Sequence, residues 1–131
     1  MRARVAGAVT SIRVVIADDD SDIRALVAIA VRKAGFELVA ETIDGSSAWE
    51  SIQASQPDLV VLDVSMPGMT GLEVTTLIRA DETLAGLRVA LLSAGVDDTS
   101  RQTGMDVGAD VYLTKPFSPR DLALRLGELM S

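Results

Sequence analysis

Four apolar runs in this chain end on residues that can handle phosphate. Ile12–Ala17 runs into Asp18 and Asp19, Leu59–Leu62 into Asp63, Val89–Leu92 into Ser93, and Val111–Leu113 nearly into Lys115. If the runs are parallel strands of one sheet, their C-terminal ends share an edge, and open α/β sheets place their ligand sites at that edge. Three carboxylates, a hydroxyl and an ammonium would then converge. Carboxylates crowded as Asp18, Asp19 and Asp63 would be cannot all stay ionised cheaply unless a cation intervenes. Mg²⁺ suits the site, because it takes carboxylate, carbonyl and water oxygens at roughly 2.0–2.1 Å in an octahedron. With Lys115 alongside, the charge is nearly balanced and the site can receive a phosphoryl group. An aspartate at a strand end commonly just caps a helix, and that reading suits Asp20, Asp22 and Asp44. Independent capping would not bring Asp18, Asp19, Asp63, Ser93 and Lys115 to one edge.

The elements that must position these residues alternate in period. Ile12–Ala17 is a nearly continuous apolar run, as a strand buried on both faces should be. Asp20 or Ser21 then caps a helix in which Ile23, Leu26, Val27, Ala30, Val31 and Ala34 recur at three- and four-residue steps, ending at Gly35. Phe36–Ala40 reads as a second strand, followed by an Asp44-Gly45 turn and a helix opened by the pattern Ser47-Ala48-Trp49-Glu50 and closed by Pro57. Trp49 reads as a core anchor of that helix. Leu59–Leu62 is a third strand, and Thr70-Gly71-Leu72-Glu73 is a second capping box ahead of a helix. Val89–Leu92 and Val111–Leu113 are further strands. Between them Asp97–Val107 is a helix of weak propensity, and Ser118-Pro119 opens the last helix. The alternation describes one (βα)5 unit with a parallel sheet covered on both faces.

Composition narrows the chemistry. A chain of 131 residues, 48% of them apolar, is one compact domain. Its net charge of −7 opposes direct binding of nucleic acid. The chain has neither cysteine nor histidine, which removes thiolate catalysis, imidazole acid–base work and the commonest transition-metal ligands. Residues 1–11 read as a flexible leader and 12–131 as the domain. No stretch is long or apolar enough to span a membrane, so the expected compartment is the cytoplasm.

Four segments carry a family resemblance: Val14-Val15-Ile16-Ala17-Asp18-Asp19-Asp20, the stretch from Leu62-Asp63 through Pro67-Gly68 to Gly71-Leu72-Glu73, Leu92-Ser93-Ala94, and Gly108-Ala109-Asp110 through Lys115-Pro116-Phe117. In this order and spacing the chain, from about Ile12 to Met130, resembles a bacterial response-regulator receiver domain of two-component systems. The resemblance implies a doubly wound five-stranded sheet in the flavodoxin-like order 2-1-3-4-5, as in chemotaxis regulators. It implies that Asp63 accepts a phosphoryl group from a histidine kinase or phosphotransfer protein. Asp19 and Asp63 match direct Mg²⁺ ligands, Asp18 matches an acid acting through water, and the Ser65 backbone carbonyl matches a third protein ligand. Ser93 and Lys115 match the hydroxyl and the ammonium that meet the phosphoryl oxygens, with a cis Lys115-Pro116 bond expected. Tyr112 matches the aromatic switch position and, as bare sequence, also reads as a half-buried packing residue. The helix Asp97–Val107, the fifth strand and the last helix form the implied signalling face toward an effector domain or protein. Such a protein catalyses only its own phosphorylation and dephosphorylation.

Several positions depart from the family pattern. Thr70 stands where an aspartate is frequent, but it still caps its helix. Ser65 and Gly95 offer no carboxylate or amide to hold an attacking water, so these side chains are not expected to speed dephosphorylation. Asp121 and Arg125 sit where pairing receivers carry charged networks, whereas Val111 replaces a frequent aspartate. The expectation is a monomer or weak dimer. Two rivals stand beside this reading. An aspartyl-phosphate phosphatase needs a general acid two residues past the nucleophile, where Ser65 cannot serve. A phosphorylation-independent interaction module of the same fold is the alternative; for a nucleotide it lacks a glycine-rich phosphate loop after the first strand.

Overall fold

The computed structural model describes residues 11–94, 98–115 and 117–131. The expected leader up to residue 10, Gly95 and the Lys115-Pro116 bond lie outside the described residues. The strands are β1 (Arg13–Ala17), β2 (Glu37–Thr42), β3 (Leu59–Asp63), β4 (Arg88–Ser93) and β5 (Val111–Thr114). Between and after them run α1 (Ser21–Lys33), α2 (Gly45–Ser55), α3 (Gly71–Ala80), α4 (Asp98–Asp106) and α5 (Pro119–Met130). All strand pairs are parallel, in the order β2-β1-β3-β4-β5. The expected (βα)5 architecture and strand order are what the chain adopts.

The period of two along each strand divides the apolar residues between two helical layers. Val14, Ile16, Leu59, Val61, Ala90 and Leu92 face α1 and α5, where they meet Val27, Ala30, Val31, Leu122 and Leu126. Val15, Ala17, Val60, Leu62, Val89 and Leu91 face the opposite layer, against Ala48 and Ile52 of α2 and Val74 and Ile78 of α3. β3 is central and buried along its whole length, which explains why its sequence is an unbroken apolar run ending in an acid. Trp49 packs half-buried against this second layer.

Two local expectations are corrected. α2 begins at Gly45 and is capped by Asp44, whose side chain accepts from the Ser47 amide at 2.8 Å. The Ser47-to-Glu50 pattern therefore lies inside the helix. A side chain at position 45 would collide with the Met69 carbonyl, so only glycine lets the first turn approach so closely. β2 runs to Thr42 instead of stopping at Ala40, and a 3-10 turn at Glu82–Leu84 precedes β4. The capping box of Thr70 and Glu73 at the start of α3 forms as the sequence predicts.

Candidate functional site

Asp63 is the last residue of β3, and Asp18 and Asp19 follow β1, the neighbouring strand. On the other side of β3, Ser93 ends β4, and Lys115 follows β5. The topology thus brings to one edge the residues that the sequence singled out. One carboxylate oxygen from each of Asp18, Asp19 and Asp63 lies within 4.8 Å of the other two. The Lys115 Nζ sits 3.1 Å from Asp18 Oδ2 and 3.3 Å from Asp63 Oδ1. Its backbone N–H donates to the Ser93 carbonyl at 2.7 Å, which ties the β5 end to the β4 end. Ser93 is 7% exposed. Ser65 lies in the loop after β3, where its N–H donates to Asp63 Oδ1 at 3.3 Å.

α3 starts against the backbone of the acid. The Gly71 N–H donates to the Val64 carbonyl at 3.1 Å, and a Cβ on Gly71 would strike the Asp63 carbonyl oxygen. The loop between β3 and α3 is therefore held at both ends, by the sheet and by a capped helix.

Asp18 is 2% and Asp63 is 5% exposed, so their charges carry a desolvation cost. Burial, and then the charge of Asp18, push the Asp63 carboxyl up to about 6, against the pull of Lys115 and the Ser65 amide. Burial acts to lower the Lys115 ammonium, but its hydrogen bond to Asp18 and the charges of both acids outweigh that and hold it above its ordinary value. Three carboxylates against one ammonium leave the ionised cluster short of positive charge. A hard divalent cation would supply what is missing, and oxygens this close and this crowded could hold one. Asp18 already uses both carboxylate oxygens, accepting from the Asp20 amide at 2.9 Å and from Lys115. Asp19 is exposed.

Tyr112 is more buried than the sequence suggests, at 2% exposure. Its ring lies under α4, where a Cβ on Gly104 would come within 2.7 Å of Tyr112 Cδ2. The Tyr112 hydroxyl is buried and finds no hydrogen-bond partner among the described residues.

Sequence reasoning missed two arginines. Arg24 of α1 donates to the Asp18 carbonyl at 2.9 Å. Arg79 of α3 donates to the Gly108 carbonyl at 2.8 Å, to the Leu87 carbonyl at 2.7 Å and to Asp110 at 2.8 Å. Asp110 also accepts from the Val89 amide at 2.8 Å, so Arg79 and Asp110 together fasten α3, the start of β4 and the turn into β5. The only sequence signal for either arginine is a cation at a helix end, which is too common to single out a residue.

Comparison with known proteins agrees with this geometry. Residues 14–127 match the family described as the response regulator receiver domain. Over 113 residues the chain is 37% identical to the phosphate regulon transcriptional regulatory protein PhoB of Pseudomonas aeruginosa, a match covering 86% of this chain and 49% of that protein. Over 122 residues it is 41% identical to the transcriptional regulatory protein PrrA of Mycobacterium tuberculosis, covering 93% and 51%. The chain thus spans about half the length of these curated relatives. Among solved structures, the chemotaxis response regulator CheY4 of Vibrio cholerae superposes with a TM-score of 0.84 at 31% identity, covering 92% of this chain and 99% of that one. Together with the parallel sheet and the acidic edge, these likenesses establish that the chain belongs to the response-regulator receiver domain family.

Proposed function

We propose that Asp63 accepts a phosphoryl group from a sensor histidine kinase or a phosphotransfer protein in a Mg²⁺-dependent reaction, and that the resulting acyl phosphate changes the affinity of the α4-β5-α5 face for a downstream effector domain or protein. The observation that carries this reading is the gathering of Asp18, Asp19 and Asp63 within 4.8 Å, with the Lys115 ammonium 3.3 Å from Asp63. An ionised Asp63 oxygen attacks phosphorus, the phosphorus–nitrogen bond to the donor imidazole breaks, and the leaving nitrogen takes up a proton. Asp19, Asp63 and the Ser65 backbone carbonyl would hold the metal, with Asp18 acting through water; bound there it would neutralise the phosphoryl oxygens. Lys115 pairs with one phosphoryl oxygen, and Ser93, on the adjacent strand end, offers its hydroxyl to another.

Tyr112 transmits the change. On β5 it pairs with Leu91 of β4, two residues before Ser93, and its ring lies against Gly104 of α4, so motion of the β4 end would be felt by the ring and by the helix above it. α4 is built from weak helix formers such as Thr99, Ser100, Thr103 and Gly104, which keeps alternative packings close in energy. Residues 12–131 form the receiver unit, with 1–11 as a leader, acting in the cytoplasm as a monomer or weak dimer. The unit is catalytic only toward its own phosphorylation and dephosphorylation, and its net charge of −7 leaves nucleic acid to other parts of a regulator. Among the described residues no helix is long and apolar enough to cross a membrane.

The test is incubation with a small-molecule phosphodonor and Mg²⁺, followed by intact-mass measurement. The wild-type chain gains one phosphoryl group and Asp63→Asn gains none. An adduct on both removes Asp63 from its assigned role.

A further inference from the structure

We propose that Arg24 is a positioning residue for the metal site, holding the Asp18–Asp20 loop in the form that presents Asp18 and Asp19 to a divalent cation. The inference rests on the metal reading above and concerns a residue that does not itself touch the cation. Arg24 occupies the first turn of α1, where its N–H bonds to the Asp20 carbonyl at 2.9 Å. A cation is disfavoured at that end of a helix, because it meets the positive end of the helix dipole. What offsets the misfit is local. The Arg24 Nη1 donates to the Asp18 carbonyl at 2.9 Å, and Nε lies 3.9 Å from Glu41 Oε1 on β2, with the side chain 22% exposed.

The Asp18 carbonyl belongs to the peptide that joins Asp18 to Asp19, so this bond sets the plane from which the Asp19 side chain departs. The other side of Asp18 is pinned as well. Its N–H donates to the Thr42 carbonyl at 3.1 Å, and the Thr42 hydroxyl donates to the Ile16 carbonyl at 2.9 Å. Every polar group of Asp18 is therefore engaged, counting its bonds to Asp20 and Lys115. Of these anchors, Arg24 alone holds the carbonyl side.

Groups that orient metal ligands typically account for ten- to hundred-fold in affinity. Simple electrostatics predicts the opposite sign, since deleting a positive charge beside three carboxylates should tighten cation binding. The direction of the effect therefore decides the matter. Isothermal calorimetry of Mg²⁺ binding at pH 7.5 compares the wild type with Arg24→Ala, Arg24→Gln, Arg24→Lys and Glu41→Gln. Arg24→Ala and Arg24→Gln are expected to bind about tenfold more weakly, and Arg24→Lys, which keeps one donor and the charge, falls between them and the wild type. Glu41→Gln stays within about twofold of the wild type, since its contact is long and solvated. In phosphorylation from a small-molecule phosphodonor, the Arg24 variants require more Mg²⁺ for half-maximal rate, a shift that a global loss of structure would not give. Equal or tighter Mg²⁺ binding by a folded Arg24→Ala overturns the proposal, and if that variant does not fold, Arg24→Gln is held to the same standard. A wild-type chain that takes up no Mg²⁺ overturns the metal reading and this inference together, whereas wild-type binding matched by the variants overturns this inference alone.

Discussion

Replacing Asp63 with asparagine is expected to stabilise the metal-free protein at pH 7.5, although it removes the residue on which the proposed chemistry depends. The Asp63 carboxyl is pushed from 3.8 up to about 6, by burial first and by Asp18 second. A displacement of that size corresponds to about 3 kcal/mol against the ionised form in the folded state. Water at the open edge screens part of it, leaving about 1–2 kcal/mol. The sign follows from linkage. An acid whose folded-state value lies above its unfolded one carries no penalty below the unfolded value, and the full penalty above the folded value. The advantage of Asp63→Asn should therefore grow as pH rises from about 4 to about 7 and then level off. Urea unfolding in the presence of a chelator, repeated across this range, measures the difference directly, and in thermal unfolding it amounts to roughly 3–6 °C at the upper plateau. Added Mg²⁺ should raise the wild type more than the variant and narrow the gap. A variant that is less stable than the wild type at pH 7.5, or a difference that does not change with pH, refutes the reasoning from crowding.

Other perturbations follow from the same geometry. Tyr112→Phe removes a buried hydroxyl without a partner among the described residues, so stability in urea should stay level or rise by up to about 1 kcal/mol. Arg79→Ala deletes three hydrogen bonds and leaves Asp110 without its closest cation. It should cost about 2–4 kcal/mol by the same assay, with the phosphorylation site itself untouched. Ser65→Asn places an amide beside the proposed acyl phosphate and should speed its decay, followed as loss of the adduct over time. An unchanged decay rate contradicts the expectation drawn from Ser65.

The strands were legible because β1, β3 and β4 are buried on both faces, which leaves an uninterrupted apolar run as their signature. The acids at their ends stood out for the same reason, since a charged residue directly after such a run marks the rim of the sheet. β2 was legible only in part. It is an edge strand, and its last residues, Glu41 and Thr42, are polar because one is exposed and the other bonds inward to the Ile16 carbonyl. The start of α2 carried two competing cap patterns, and the choice of Asp44 depended on the close approach of Gly45 to Met69, a contact between residues distant in sequence. Arg79 was invisible for a similar reason, because its partners Gly108 and Asp110 lie 29 and 31 positions away. The depth of Tyr112 depended on a bare Gly104 above its ring, and alternation along a strand does not report what an overlying helix lacks.

The central claim is that the acidic edge makes Asp63 a metal-dependent phosphoryl acceptor. Its most direct test is to phosphorylate the chain with a small-molecule phosphodonor, reduce the product with borohydride and map the peptides by mass spectrometry. The account predicts homoserine at position 63 in the presence of Mg²⁺ and none when the metal is chelated. Reduction at any other acid, or at position 63 to the same extent without the metal, would contradict it.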